Sequence, residues 1–93
     1  MWEQLTKENV ETICLTQAKS YARSLGYPDT VVFRCTCETV ESGQDKSFTC
    51  IVGALDGTHE LSITCNKTTQ TCEIISEQGT RKLTFKDLES YLK

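Results

Sequence analysis

From Val31 to Ser76 apolar and polar residues alternate with a period of two, and short turn-like stretches break the alternation in three places. This pattern predicts four consecutive antiparallel strands. The first, from Val31 to Val40, is rich in β-branched residues. Ser42-Gly-Gln-Asp45 ends it with residues suited to a turn. Lys46 to Leu55 forms the second strand, and Asp56-Gly57 is the strongest hairpin signal, because a type I′ turn takes positive φ at both central residues. Thr58 to Asn66 is the third strand and Lys67-Thr-Thr-Gln70 its turn. Thr71 to Ser76 is the fourth strand, and Glu77-Gln-Gly-Thr80 reads as a loop.

A turn at Asp56-Gly57 fixes a register in which Val52 opposes Leu61, Cys50 opposes Ile63 and Phe48 opposes Cys65. A first loop over Glu41 to Lys46 places Cys37 opposite Cys50. A turn at Thr68-Thr69 places Cys65 opposite Cys72. One face then collects Phe33, Cys35, Cys37, Phe48, Cys50, Val52, Leu61, Ile63, Cys65, Cys72 and Ile74. The other collects Arg34, Thr36, Glu38, Thr49, Ile51, Ser62, Thr64, Glu73 and Ile75. Such a split belongs to an antiparallel sheet covered on one side.

Outside the strands the period becomes helical. Thr6 is placed to cap a helix from Lys7 to about Leu25, with Val10, Ile13, Cys14, Gln17, Ala18, Tyr21 and Leu25 along one stripe. Gly26 and Pro28 end it. Thr84 and Asp87 favour a short final helix that presents Phe85, Leu88 and Leu92. The predicted fold is α+β, a single domain over residues 1–93. It is a two-layer sandwich in which a four-stranded antiparallel meander carries the N-terminal and C-terminal helices on one face, in the order α-β-β-β-β-α.

A net charge of −3 over 93 residues argues against DNA or RNA as a partner. No apolar run approaches the roughly 20 residues of a membrane span, and Met1 to Glu8 lacks a signal-peptide layout. A chain this short is not expected to enclose a large pocket. These features predict a cytoplasmic protein, or a secreted one if its cysteines pair.

The six cysteines, Cys14, Cys35, Cys37, Cys50, Cys65 and Cys72, are the most unusual feature. They fit a disulfide framework, a thiolate metal site built from Cys35, Cys37 and Cys50 with Cys14 as fourth ligand, or free thiols used as small core residues. The predicted register places Cys37–Cys50 and Cys65–Cys72 at hydrogen-bonded pairs, where Cα atoms stand about 5.5 Å apart. That spacing suits a disulfide poorly, so the expectation is free, buried thiols. The C-x-C spacing inside a strand lacks the paired knuckles of a zinc site. No metal and no cofactor are therefore expected.

No catalytic motif stands out: the one histidine, His59, has no marked nucleophile partner, and Gly53, Gly57 and Gly79 form no phosphate loop. Asn66-Lys67-Thr68 matches the glycosylation acceptor pattern. Tyr27-Pro28 through Ser47-Phe-Thr loosely resembles the start of a double-stranded-RNA-binding domain, but the lysine signature of that family is absent. Ile51-Val-Gly-Ala54 faintly resembles the inhibitory hairpin of cystatins. The expected function is a non-enzymatic protein-interaction module, inhibitory or regulatory, that meets another protein or a second copy of itself. The expected surface is the uncovered sheet face, with a middle row of Thr36, Ile51, Ser62 and Ile75 and with Val32 and Val40 nearby. Arg34, Glu38, Thr49, Thr64 and Glu73 flank that row. The alternatives are nucleic-acid binding at the Arg81–Lys86 end and thiol-based metal binding.

Overall fold

The structure, a computed structural model, describes residues 1–92. Thr6 stands in extended conformation and its hydroxyl accepts the Asn9 N–H at 3.2 Å, which opens helix α1 (Lys7–Ser24). Gly26 takes φ +88° just after the helix, a conformation costly for a residue with a Cβ, and Pro28 follows. Val10, Ile13, Cys14 and Ala22 are the buried residues of α1.

The strands are β1 (Val32–Ser42), β2 (Asp45–Ala54), β3 (Gly57–Asn66), β4 (Thr71–Ser76) and β5 (Gly79–Thr84). They form one antiparallel sheet in chain order. Helix α2 (Phe85–Glu89) follows, opened by a reciprocal pair of hydrogen bonds between Thr84 and Asp87, and a 3-10 turn runs from Ser90 to Leu92. The fold is α+β as expected, but the sheet has five strands rather than four. β5 escaped the alternation rule because its inward positions are Gly79, Arg81 and Leu83, of which only Leu83 is apolar.

The β2–β3 turn is centred on Leu55-Asp56, and Gly57 follows it with φ +122°. Neither Leu55 nor Asp56 has positive φ, so the glycine serves the exit from the turn rather than its centre. As a result Cys50 opposes Leu61 and Phe48 opposes Ile63, two residues along β3 from the expected register. A shift of two keeps every side chain on its expected face but inverts the hydrogen-bonding alternation. Cys50 now directs its backbone groups to β3 and Cys65 directs its own to β2. Both cysteine pairs therefore occupy the close sites of the ladder.

The Cα–Cα distance is 4.0 Å in each pair, and the bonds formed are Cys37–Cys50 and Cys65–Cys72. The expectation of unpaired thiols is thus wrong for four of the six, while that of burial holds for all six. The Cys37 N–H, directed off the sheet edge, donates to Glu11 Oε2 of α1 at 2.8 Å.

A bulge near the start of β1 makes a second correction. Val32 pairs with Ala54 and Arg34 with Gly53, which leaves Phe33 as the extra residue. Val32, expected on the open face, turns inward and is buried. Phe33, expected in the core, is exposed. A Cβ at Gly53 would stand 3.2 Å from the Phe33 ring and from Arg34 Cγ, so glycine lets both side chains lie close to the sheet.

One apolar cluster fills the cysteine-bearing face, with Val10, Ile13 and Cys14 of α1, Phe48, Ile63 and Ile74 of the sheet, and Phe85 and Leu88 of α2. Both helices thus cover the same face, α1 packing across β1 and β2 and α2 beside β5. The N-terminal turn closes one end: Leu5 is buried, and Trp2 lies 6.3 Å from the Phe85 ring. Lys46 Nζ donates to the Trp2 and Leu5 carbonyls, each at 3.3 Å, and stands 4.5 Å above the Trp2 ring.

Candidate functional site: an apolar cleft between helix and sheet

Because α1 packs mainly on β1 and β2, its C-terminal half overhangs a stretch of sheet that it does not fill. A cleft of about 630 Å³ results. Ala18, Tyr21 and Ala22 of α1 form one wall, extended by Leu25, Tyr27 and Val31 of the connection to β1. Val52, Leu61 and Ile74 form the floor, and Leu55 stands at the β2–β3 turn. No large enclosed pocket is expected in so short a chain; the hollow is an open cleft, and its cause is visible in the helical stripe. Its first half meets the sheet and is buried, whereas Tyr21 and Leu25 continue the apolar face where no layer meets them. Among the described residues the exposed large apolar side chains are Tyr21, Leu25, Tyr27, Phe33, Val40, Ile51, Leu55 and Ile75. Four of these eight, Tyr21, Leu25, Tyr27 and Leu55, line this one cleft.

Two polar groups mark its rim. At the turn end, half-buried His59 lies between Asp56 and Glu77, with Nε2 2.8 Å from Asp56 Oδ1 and Nδ1 on Glu77 Oε1. Both partners are carboxylates, an arrangement that favours the protonated ring, in which both nitrogens donate. The hydrogen bonds to Asp56 and then to Glu77 hold the His59 pKa above its ordinary value, and the bond to His59 holds the Asp56 carboxyl below its own. This triad ties the β2–β3 turn to the β4–β5 turn. On the other side, Arg81 Nη1 donates to Gln17 Oε1 at 2.8 Å, and Gln17 Nε2 donates to the Tyr91 hydroxyl at 2.6 Å.

Comparison with known proteins finds no family model, no curated protein and no solved structure that matches this chain.

The open face of the sheet carries most of the residues expected to meet a partner. Arg34, Thr36, Glu38, Thr49, Ile51, Glu73 and Ile75 are exposed there, and Ser62 and Thr64 are half-buried. Val32 is absent from that face for the reason given above. The rows also differ from expectation. Thr36, Ile51 and Glu60 form one row, and Glu38, Thr49, Ser62, Ile75 and Thr80 the next, so Ile51 and Ile75 are not neighbours across the strands. A more open hollow on this face is lined by Thr64, Asn66, Thr69, Thr71, Glu73, Ile75 and Lys82.

Strand β5 divides the Arg81–Lys86 cluster. Arg81 faces the helices, Lys82 lies opposite Glu73 on the other face, and Lys86 belongs to α2. The cluster therefore forms no common basic patch. As for the proposed thiolate site, the sulfurs of Cys14, Cys37 and Cys50 lie within 4.8 Å of one another, but two of them share a disulfide. Cys14 and Cys35 remain as thiols. The hydrogen bond with Cys35, followed by burial, pushes the Cys14 thiol far above its ordinary range, and Glu11 adds to this. This environment opposes a thiolate at Cys14, whereas the same hydrogen bond holds the Cys35 thiol below its ordinary value.

Sequence reasoning missed the cleft residues Tyr27, Leu55 and Arg81, and placed Ala18, Tyr21 and Leu25 in the core. The available signal was the length of the helical stripe, which continues through Tyr21 to Leu25.

Proposed function

We propose that this chain is a small, non-enzymatic binding protein that takes an apolar-bodied small molecule into the cleft between α1 and the sheet. The observation that carries the reading is the gathering of half of the exposed large apolar side chains around one concavity. Ligand pockets commonly measure roughly 300–1,000 Å³ and are mostly apolar with a few polar groups at fixed places; the cleft fits this description in size and lining. Two disulfides support an oxidising compartment, outside the cytosol, as the place of work. Among the described residues no helix is long and apolar enough to cross a membrane.

A protein partner on the open sheet face is the weaker reading, because Val40, Ile51 and Ile75 are separated there by polar and charged neighbours. The cleft reading is tested with Nile red, an uncharged apolar dye. Saturable one-to-one binding is expected, and Ala18→Trp, which fills the cleft from its helical wall, is expected to abolish it while the urea midpoint stays near that of the parent. Absence of saturable binding, or unchanged binding by the folded variant, would overturn the reading.

A further inference from the structure

We propose that the ligand is an amphiphile with a single carboxylate, which places its head on Arg81 and its apolar body in the cleft. This deepens the cleft reading and rests on it. Arg81 lies opposite Ile74 on the helix-facing side of β5, at the edge of an apolar floor. Among the described residues it has no carboxylate within ion-pair distance, and one neutral acceptor, Gln17 Oε1, holds it. Gln17 is oriented in turn by its bond to Tyr91, so α1, β5 and the C-terminal turn together fix the guanidinium beside the cleft.

The remaining cation of the rim, His59, is held by the two carboxylates of Asp56 and Glu77, and Glu60 also borders the cleft at that end, so the turn end carries an excess of negative charge. Arg81 is therefore the one cation of the cleft with charge and donors to offer. A guanidinium has five N–H donors in a planar fork, and that fork matches a carboxylate through two parallel hydrogen bonds. An ammonium head would meet Arg81 with like charge. The second charge of a phosphate head would meet no further unpaired cation among the described residues that line the cleft. One unpaired cation beside an apolar hollow fits a monoanion with an aliphatic or aromatic body.

The experiment compares dodecanoate, dodecanol and dodecylamine as competitors of Nile red at low ionic strength, on the parent and on Arg81→Gln. For the parent, dodecanoate is expected to bind about tenfold more tightly than dodecanol, the scale of charge-assisted hydrogen bonds partly open to water, and dodecylamine most weakly. In Arg81→Gln the preference for dodecanoate over dodecanol, read as the ratio of the two within that variant, is expected to vanish. Equal binding of dodecanoate and dodecanol by the parent overturns the carboxylate assignment and leaves the cleft reading standing. A preference that survives in Arg81→Gln overturns the role of Arg81. Failure of the parent to bind Nile red removes the cleft reading and this inference together.

Discussion

Removing the Cys37–Cys50 bond isolates one structural claim, that the β1–β2 ladder is closed covalently at its centre. The bond joins residues 13 apart in sequence. Closing a loop of that length lowers the entropy of the unfolded chain by an amount worth about 3 kcal/mol at room temperature. The Cys65–Cys72 bond, at a separation of 7, is worth about 2.5 kcal/mol on the same relation. The loops do not overlap, so the two effects are expected to add. A domain of this size has a total stability of about 5–14 kcal/mol, so either loss is a large part of it.

Equilibrium urea unfolding followed by circular dichroism gives the measurement, with a slope of about 1.5 kcal/mol/M assumed for a chain of this length. Cys37→Ala/Cys50→Ala should lower the midpoint by about 2 M. Cys65→Ala/Cys72→Ala should lower it somewhat less. Loss of buried sulfur volume next to Cys14 adds to the first effect. A midpoint unchanged by the first pair of substitutions, or a peptide map that joins Cys37 to any cysteine other than Cys50, would refute the argument from register to covalent structure.

Three further outcomes follow from the same geometry. Thiol titration of the native protein should proceed slowly, and addition of denaturant should reveal two thiols, from Cys14 and Cys35; rapid native labelling would contradict their burial and the raised pKa of Cys14. The Asp56–His59–Glu77 triad should stabilise the fold most between about pH 4 and pH 6.5, the ordinary values of its groups. The raised His59 pKa makes its contribution full below the unfolded value and lost as pH rises through the folded one. The lowered Asp56 pKa makes its contribution lost as pH falls. Thermal melts of the parent and His59→Gln should therefore differ most inside that window, and a constant difference from pH 4 to pH 9 would count against the triad. Thr84→Ala should cost about 1 kcal/mol in urea unfolding by removing the cap of α2, and a change below a few tenths would show the cap to be idle.

The elements that obey a single local rule were legible in the sequence. Thr6, Gly26 and Thr84 mark helix ends by their own chemistry, and period-two alternation marks β1 to β4. The assignment of faces survived an error in the β2–β3 turn because the true register differs by two residues, an even number. The hydrogen-bonding alternation did not survive it, since it depends on which residues turn the chain, and the disulfides were lost with it. β5 was hidden because Arg81 occupies an inward position usually held by an apolar residue. That same departure places an arginine on the helix-facing side of the sheet, where it borders the cleft rather than the packed core. The bulge at Phe33 has no signature in the local pattern, because an extra residue in a strand changes parity without changing composition. The cleft was illegible for a different reason. It depends on how far α1 reaches across the sheet, a property of packing that no stretch of sequence contains alone.

The central claim is that the cleft, and not the open sheet face, is the working surface. Amide chemical-shift mapping during titration with Nile red separates the two directly. The account predicts that the largest shifts fall on Ala18, Ala22, Val52, Leu61, Ile74 and Arg81, with Thr36, Thr49, Ile51 and Ile75 little changed. Shifts confined to Thr36, Ile51, Ser62 and Ile75, or none at saturating dye, would contradict it.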